Sequence, residues 1–314
     1  MRTFYKLNDF LKFVPSSYKC VATIGVFDGV HLAHQKIVRR VMGVAKMDNI
    51  KTLVITFNPH PTNVLNKSIK VPLLISLKHR LRLFDETGID YALVLQFNKR
   101  FARMQPGDFI KKVLGRMHLC ELIVGRNFLF GNKKRGTFAD LVRFSKDHDF
   151  KISAVGTYRS SGKAISSTRI RRLILNGELK RASKLLSRAV TVLGTVVKGY
   201  KRGRLIGFRT ANIDPHHEAI PPSGVYAVRI RFEGKRLKGI LNIGVKPTFN
   251  DSNKKIDPTI EVHIFNFNKV IYGKDLEIEF VRRIRGERRF KDAHSLRLQI
   301  ERDEELSKNI LSFR

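Results

Sequence analysis

Two histidines three residues apart, His31 and His34, follow the turn Gly25-Val26-Phe27-Asp28-Gly29 and stand where a helical pattern begins. A helix that starts directly after a strand presents unpaired backbone amides and the positive end of its dipole, a natural seat for phosphate. Three-residue spacing puts both imidazoles on one side of the first turn. There they can donate hydrogen bonds to phosphate oxygens as charge develops in a transition state. Taken alone, the pair reads equally well as surface histidines. A zinc pair would need further ligands at suitable spacing, and none is evident.

Three more segments follow strand-like runs in the same half of the chain. Asn58-Pro59-His60-Pro61 is a proline-stiffened loop around a histidine. Gly125-Arg126-Asn127-Phe128-Leu129-Phe130-Gly131 joins a polar Asn127 to aromatics that also suit a core. Ser166-Ser167-Thr168-Arg169 opens a helix with hydroxyls suited to capping and a cation that can reach an anion. In the second half, Gly199 to Gly207 encloses Lys201, Arg202 and Arg204, a flexible basic loop that suits phosphate. Thr210 and Asn212 follow it with hard oxygen donors of the kind Mg²⁺ accepts. On Glu261-Val262-His263-Ile264-Phe265, strand alternation puts Glu261, His263 and Phe265 on one face.

The elements that must carry these residues change character midway. Cys20–Phe27, Thr52–Phe57, Tyr91–Leu95, Cys120–Val124 and Lys151–Val155 read as strands. Helical patterns alternate with them over Ala33–Met47, Ser76–Glu86, Pro106–Met117, Phe138–Ser145 and Ser167–Leu175. That alternation predicts a parallel sheet with helices on both faces. From Thr191 onward the pattern is of short strands: Val192–Val197, Val225–Phe232, Leu237–Ile243, Ile260–Phe267 and Leu276–Val281. Regular spacing and turn residues predict an antiparallel sheet or barrel. Ala293–Leu311 closes the chain as a helix, and the domain boundary is placed between residues 186 and 187.

In this order the motifs resemble the prokaryotic bifunctional riboflavin kinase/FAD synthetase family over almost the whole chain. The family's first half carries His-x-Gly-His, a Phe-x-Pro-His-Pro loop, Gly-x-(Asn/Asp)-Phe-x-Phe-Gly and Ser-Ser-Thr-x-Ile-Arg. Its second half carries Gly-x-Pro-Thr-Ala-Asn, Gly-Val-Tyr, Asn-Ile-Gly-x-x-Pro-Thr-Phe, Glu-x-His-x-x-Asp-Phe and Arg-x-Glu-x-x-Phe. The resemblance implies a Rossmann-like α/β nucleotidyltransferase domain over 1–186 and a small antiparallel β-barrel with a C-terminal helix over 187–314. It implies phosphorylation of riboflavin to FMN in the second domain and adenylylation of FMN to FAD in the first, with ATP and Mg²⁺. The implied catalytic groups are Glu261, His31 and His34. The implied nucleotide and flavin contacts are Gly25, Phe27, Asp28, Gly29, Asn58, His60, Asn127, Ser167, Thr168 and Arg169, then Gly199, Arg204, Gly207, Asn242, Thr248, Arg285 and Glu287. Thr210 and Asn212 are the implied metal ligands. Three positions depart from the family pattern: Ala33 for glycine, Arg209 for proline and Asn266 for aspartate.

Composition limits the rival classes. The chain has 61 Lys and Arg against 27 Asp and Glu, a net charge of +34. Residues 1–186 hold 35 basic and 12 acidic side chains, so the excess is not a tail. Such a field attracts polyanions, but the sequence holds no common RNA-binding module, zinc finger or helix-turn-helix signature. Nucleic acid is therefore expected only as a nonspecific electrostatic partner. The competing readings are a monofunctional member with one decayed site and a basic nucleic-acid-binding protein built on this fold. Apolar runs are too short to span a bilayer, and the first residues lack the apolar core of a secretory signal. Two cysteines, Cys20 and Cys120, cannot form a disulfide framework. Both are expected buried in strands, in a reducing cytoplasm.

Overall fold

A computed structural model describes residues 1–15, 19–66, 71–146, 150–199, 207–245 and 258–312. They form two compact units. The first comprises Met1–Leu73 and Leu77–Ser167; the second comprises Leu74–Ser76 and Thr168–Arg314.

The first unit is a six-stranded parallel sheet. Its strands are β1 (Arg2–Phe4), β2 (Cys20–Ile24), β3 (Lys51–Asn58), β4 (Tyr91–Gln96), β5 (Leu119–Gly125) and β6 (Lys151–Val155), in spatial order β1-β4-β3-β2-β5-β6. Every residue of β2 is buried, which is why its sequence is continuously apolar rather than alternating. β2 ends at Ile24, three residues before the expected Phe27. The reason is conformational: Phe27, Gly29 and Val30 take φ values of 52°, 86° and 38°, a left-handed turn that no strand continues. The helix expected over Pro106–Met117 stops at Lys112 and passes into a 3₁₀ turn over Leu114–Arg116, closed by Met117 N–H to Leu114 O at 3.0 Å. Cys20 is buried, and burial, helped by nearby Asp90, pushes its thiol up to about 11. Cys120 is only half-buried, because its neighbours Leu119 and Glu121 occupy the covered face. The edge strand β1 is too short to leave a periodic signal.

In the second unit, β9 (Thr191–Val197), β10 (Ala211–Asp214), β11 (Gly224–Phe232), β12 (Lys235–Val245), β13 (Pro258–Ile264) and β14 (Asp275–Arg285) close a barrel in the order β10-β13-β12-β11-β14-β9. All six pairings are antiparallel. The labels β7 (Arg159–Ser160) and β8 (Lys163–Ala164) belong to a short hairpin of the first unit. β10 is a strand that the sequence pattern hid within a loop. β13 stops at Ile264 rather than Phe267, because Asn266 turns with φ 54°, a conformation asparagine tolerates. The helix Ala293–Ser312 lies on β11, β12 and β14, with Ile300, Ile310 and Leu311 against Ala227, Ile240 and Phe265.

One polar staple joins the starts of β3 and β4. Asp90 Oδ2 accepts from Thr52 N–H at 3.0 Å and from the Thr52 hydroxyl at 2.8 Å, and Lys51 Nζ lies 2.9 Å from Asp90 Oδ1. Burial pushes the Asp90 carboxyl up, but these donors more than offset it and hold it below the usual range. A depressed carboxyl stabilises the fold above its unfolded pKa of roughly 3.9 and loses that contribution as pH falls. Asp90→Asn is therefore expected to lower unfolding stability by about 1 kcal/mol at neutral pH. In urea titrations the gap from wild type should close as pH falls below about 4.

Candidate functional site

The carboxyl ends of β2, β3 and β5 converge on one edge of the parallel sheet. The helix Leu32–Met47 starts there, with His31 as its N-terminal flanking residue in extended backbone. His31 is 3% exposed, and its ring stacks on His34 at 3.6 Å between centroids and 16° between planes. His34 is steadied by the edge of Phe27 at 5.2 Å, and Phe27 by Phe84 at 5.5 Å. Phe27 is thus a buried floor that aims His34. Gly25 sits over that ring, where an added Cβ would lie 3.1 Å from it.

A cavity of about 440 Å³ opens above the pair, lined by Gly25, His31, His34, Gly125, Asn127 and Ser167 among others. Asp28 is 2% exposed, in the turn between β2 and the helix Leu32–Met47. Its carbonyl accepts from the Ser167 hydroxyl at 2.8 Å, and its carboxylate lies 3.9 Å from His60 Nε2. His60 Nδ1 accepts from Thr62 N–H at 3.2 Å, so the neutral ring carries its proton on Nε2. The Asp28 carboxylate thus sets a buried negative charge beside the His60 loop. Asn127 is exposed and donates to the Thr157 hydroxyl at 3.3 Å. Gly29 gives the turn its left-handed backbone, and Asn58 ends β3, exposed. Thr168 and Arg169 continue the helix Ser167–Leu175 and belong to the second compact unit.

A second cavity, about 700 Å³, shares the wall Gly25, Val26, Asn127 and Phe128 with the first. Its character is different, with Phe57, Phe97, Phe101, Phe109 and Phe130 lining it. Most of this aromatic cage was missed in the sequence. The only local signal is Phe97 and Phe101 at helical spacing, which a core helix would show equally.

The barrel assembles its site by register. Asn212 of β10 pairs with Glu261 of β13, and Glu261 pairs with Asn242 of β12. Directly opposed residues point to one face. Ile213, Leu241, Ile243, Ile260 and Val262 are buried, so they fill the interior and the polar row faces outward. Gly199 leaves no room for a Cβ beside the Asn212 side chain. The Glu287 carboxylate, the Thr259 hydroxyl and the Asn242 amide gather around Gly244, within 3.2, 3.3 and 3.4 Å of where its Cβ would stand. Thr210 and Arg209 line a cavity of about 120 Å³ with Asn268, Val270 and Tyr272, residues that no motif had singled out. Thr210, Asn212 and Glu261 offer only hard oxygens, close in sequence or in register. This donor set fits Mg²⁺, which also takes water and phosphate oxygens. Gly207 turns with φ 88°; Arg204 and Thr248 lie outside the described residues.

Arg285 is held by an ion pair with the C-terminal helix. Its Nε lies 2.9 Å from Asp303 Oδ2 and its second nitrogen 2.8 Å from the same oxygen. A third donor goes to the Gly286 carbonyl at 3.1 Å. Arg285 thus ties β14 to the helix Ala293–Ser312. His263 plays a comparable part, donating from Nδ1 to the Arg209 carbonyl at 2.8 Å.

The FAD synthetase family model matches residues 14–169, and the riboflavin kinase family model matches residues 186–311. A bifunctional riboflavin kinase/FMN adenylyltransferase of Listeria monocytogenes is 37% identical over 91% of this chain and 90% of its own. Proteins of the same description from Bacillus subtilis and Escherichia coli are 36% and 33% identical, over 91% of this chain and 91% and 90% of theirs. A crystal structure described as a macrolide-efflux protein from Streptococcus pneumoniae superposes with a TM-score of 0.81 at 29% identity, covering 98% of each chain. Among the described residues of the present chain, no helix is long and apolar enough to cross a membrane.

The Arg285–Asp303 pair has a direct stability consequence. Arg285→Met leaves Asp303, 3% exposed at its side chain, with a buried charge and no cation beside it. Unfolding stability of the barrel is expected to fall by about 3 kcal/mol, read in urea titrations followed by tyrosine fluorescence. Unchanged stability would show that the Arg285–Asp303 pair does not hold the barrel together.

Proposed function

Because the chain belongs to the bifunctional riboflavin kinase/FMN adenylyltransferase family, we propose that residues 1–186 carry the adenylyl transfer and residues 187–314 the kinase reaction. The protein phosphorylates riboflavin with ATP to give FMN, and adenylylates FMN to give FAD and pyrophosphate. The residue assignments below are our reading of the geometry.

The observation that carries the assignment is the pair of cavities sharing one wall. One opens at a helix start and brings together His31, His34, Asn127 and Ser167; the other is an aromatic cage of a size and character that suit a planar tricyclic ring. ATP in the first places its phosphates over His31 and His34, and flavin in the second brings its phosphate to the wall at Gly25 and Asn127. A phosphate oxygen of FMN attacks the α-phosphorus of ATP, the new P–O bond forms, and the bond to the β-phosphate oxygen breaks. The attacking group is already an anion, so no protein nucleophile is required. His31, His34 and the amides at the helix start stabilise charge on the α-phosphoryl oxygens. Ser167 is assigned to the triphosphate, and His60 to the same end of the site.

On the barrel, Glu261 accepts the proton of the ribityl 5′-hydroxyl as its oxygen attacks the γ-phosphorus, and ADP leaves. Thr210 and Asn212 would hold Mg²⁺, which when bound would supply neutralisation of charge on the phosphate oxygens. The nucleotide is assigned to the outer face of the barrel that carries Asn212 and Glu261, next to Thr210. Gly199, Arg204, Gly207, Asn242, Thr248 and Glu287 are assigned to the surrounding phosphate and flavin contacts. The departures from the family pattern are compatible with both reactions. Ala33 lies in regular helix, where alanine is at ease. The Arg209 backbone is held by His263, and Asn266 adopts the turn its position needs. We place the protein in the cytoplasm. Its net charge of +34 implies only salt-sensitive, sequence-independent association with nucleic acid.

The test is a product profile from riboflavin, ATP and Mg²⁺, with flavins separated by chromatography. Glu261→Gln should cut FMN formation about 10²-fold or more while FAD still forms from supplied FMN. His31→Ala should do the reverse, cutting FAD formation about 10²-fold with FMN formation intact. Failure of Glu261→Gln to make FAD from supplied FMN, loss of FMN formation in His31→Ala, or full activity in either variant overturns the assignment.

A further inference from the structure

We propose that Arg80 is a positioning residue for adenylyl transfer, holding the wall shared by the two cavities in place. The inference rests on the assignment of that reaction to the first unit. Arg80 lies on the helix Leu77–Glu86 and is 4% exposed. It lines neither cavity. One guanidinium nitrogen donates to the Val26 carbonyl, and the other donates to the Phe57 carbonyl at 3.1 Å. Val26 follows the end of β2, in the loop that leads to His31 and His34. Phe57 is the penultimate residue of β3, in the run that leads to His60. Val26 lines both cavities and Phe57 lines the aromatic one. A single planar cation therefore fixes the separation of two adjacent strand ends at the point where the two substrates meet.

The choice of arginine has a physical reason. A guanidinium presents donors in a rigid fork and can satisfy two carbonyls at once, whereas an ammonium is a point charge on a flexible stem. A buried cation is costly when it lacks compensation, and here its hydrogen bonds go to carbonyls rather than to a carboxylate. Burial draws the Arg80 guanidinium down to about 10, with Asp28 opposing the fall, so the group stays charged at neutral pH. The Thr56 hydroxyl donates to the same Val26 carbonyl at 3.2 Å, so that oxygen is held from two sides. A burial site that needed only an apolar filler would not be built this way.

The kinase reaction of the same chain supplies an internal control. Arg80→Lys keeps the charge and most of the length but cannot bridge both carbonyls; Arg80→Met removes the charge as well. Both variants, in the full chain, are expected to lose about 10-fold to 100-fold in kcat for FAD formation. KM for FMN and ATP should stay within about threefold, and kcat for riboflavin phosphorylation within about twofold. Should Arg80→Met fail to fold, Arg80→Lys decides the question. Full FAD synthesis by Arg80→Lys, a loss confined to KM, or a parallel loss of kinase activity would each overturn the proposal. His31→Ala run alongside separates the two claims. FAD formation untouched by His31→Ala counts against the site assignment; FAD formation touched by His31→Ala but not by Arg80→Lys counts against the clamp.

Discussion

The left-handed turn over Phe27, Gly29 and Val30 decides where the central strand stops pairing and where its helix can begin. In a parallel sheet the strands end on one edge, and at that edge the backbone must leave the ladder. Here it leaves within three residues of Ile24, tightly enough that Gly25 still donates to the Ile55 carbonyl at 3.1 Å. The turn buries the Phe27 ring beneath the site and delivers His31 to the start of the next helix. The stacked imidazoles, the buried Asp28 and the His60 loop are arranged around that geometry. Substituents that look like ligands in the sequence divide into those that face the cavity and those that hold the former in place.

The barrel reaches the same end by a different rule. Its interior is filled with branched apolar side chains, so chemistry is confined to the outer face and the strand ends. Antiparallel register sets Asn212, Glu261 and Asn242 side by side there. The helix Ala293–Ser312 covers the neighbouring apolar strip of Ala227, Ile240 and Phe265. Arg285 and Asp303 fasten its middle to β14. The polar row thus borders a packed helix rather than open solvent alone, and His263, on the same face as Glu261, reaches from that border to the loop carrying Thr210.

Much of this was legible in the sequence, for identifiable reasons. Buried parallel strands make continuous apolar runs, and the helices between them repeat at helical spacing, so β3, β4, β5 and the helices Phe138–Ser145 and Ser167–Leu175 were readable to within a residue, while β2 ran three residues short of its apolar run. What was hidden lacked period or local contrast. Arg2–Phe4 is three residues long. Ala211–Asp214 is four residues long and follows a glycine-rich loop. The aromatic cage draws on the ends of β3 and β4, on the helices Lys99–Ala102 and Pro106–Lys112 and on the loop carrying Phe130, so only the fold assembles it. Arg80 looked like one more cation in a basic chain, because nothing in Lys78-His79-Arg80 announces that its partners are carbonyls on other strands. Arg285 stood within a recognisable motif, but its pairing with Asp303 on the helix behind it left no local signal.

The barrel's site is a property of alignment between strands, and this sets which kinds of inherited change the molecule can survive. Replacing a side chain alters one position of the Asn212–Glu261–Asn242 row. Removing one residue upstream within β13 shifts the strand by one step and turns Glu261 into the interior while Ile260 or Val262 faces out. The same deletion in the Glu233-Gly234 turn changes the hairpin geometry that sets β11 against β12. Sequence drift in this half of the protein is therefore channelled. Substitutions can accumulate along the strands, while gains and losses of length are restricted to connections that do not count out the register.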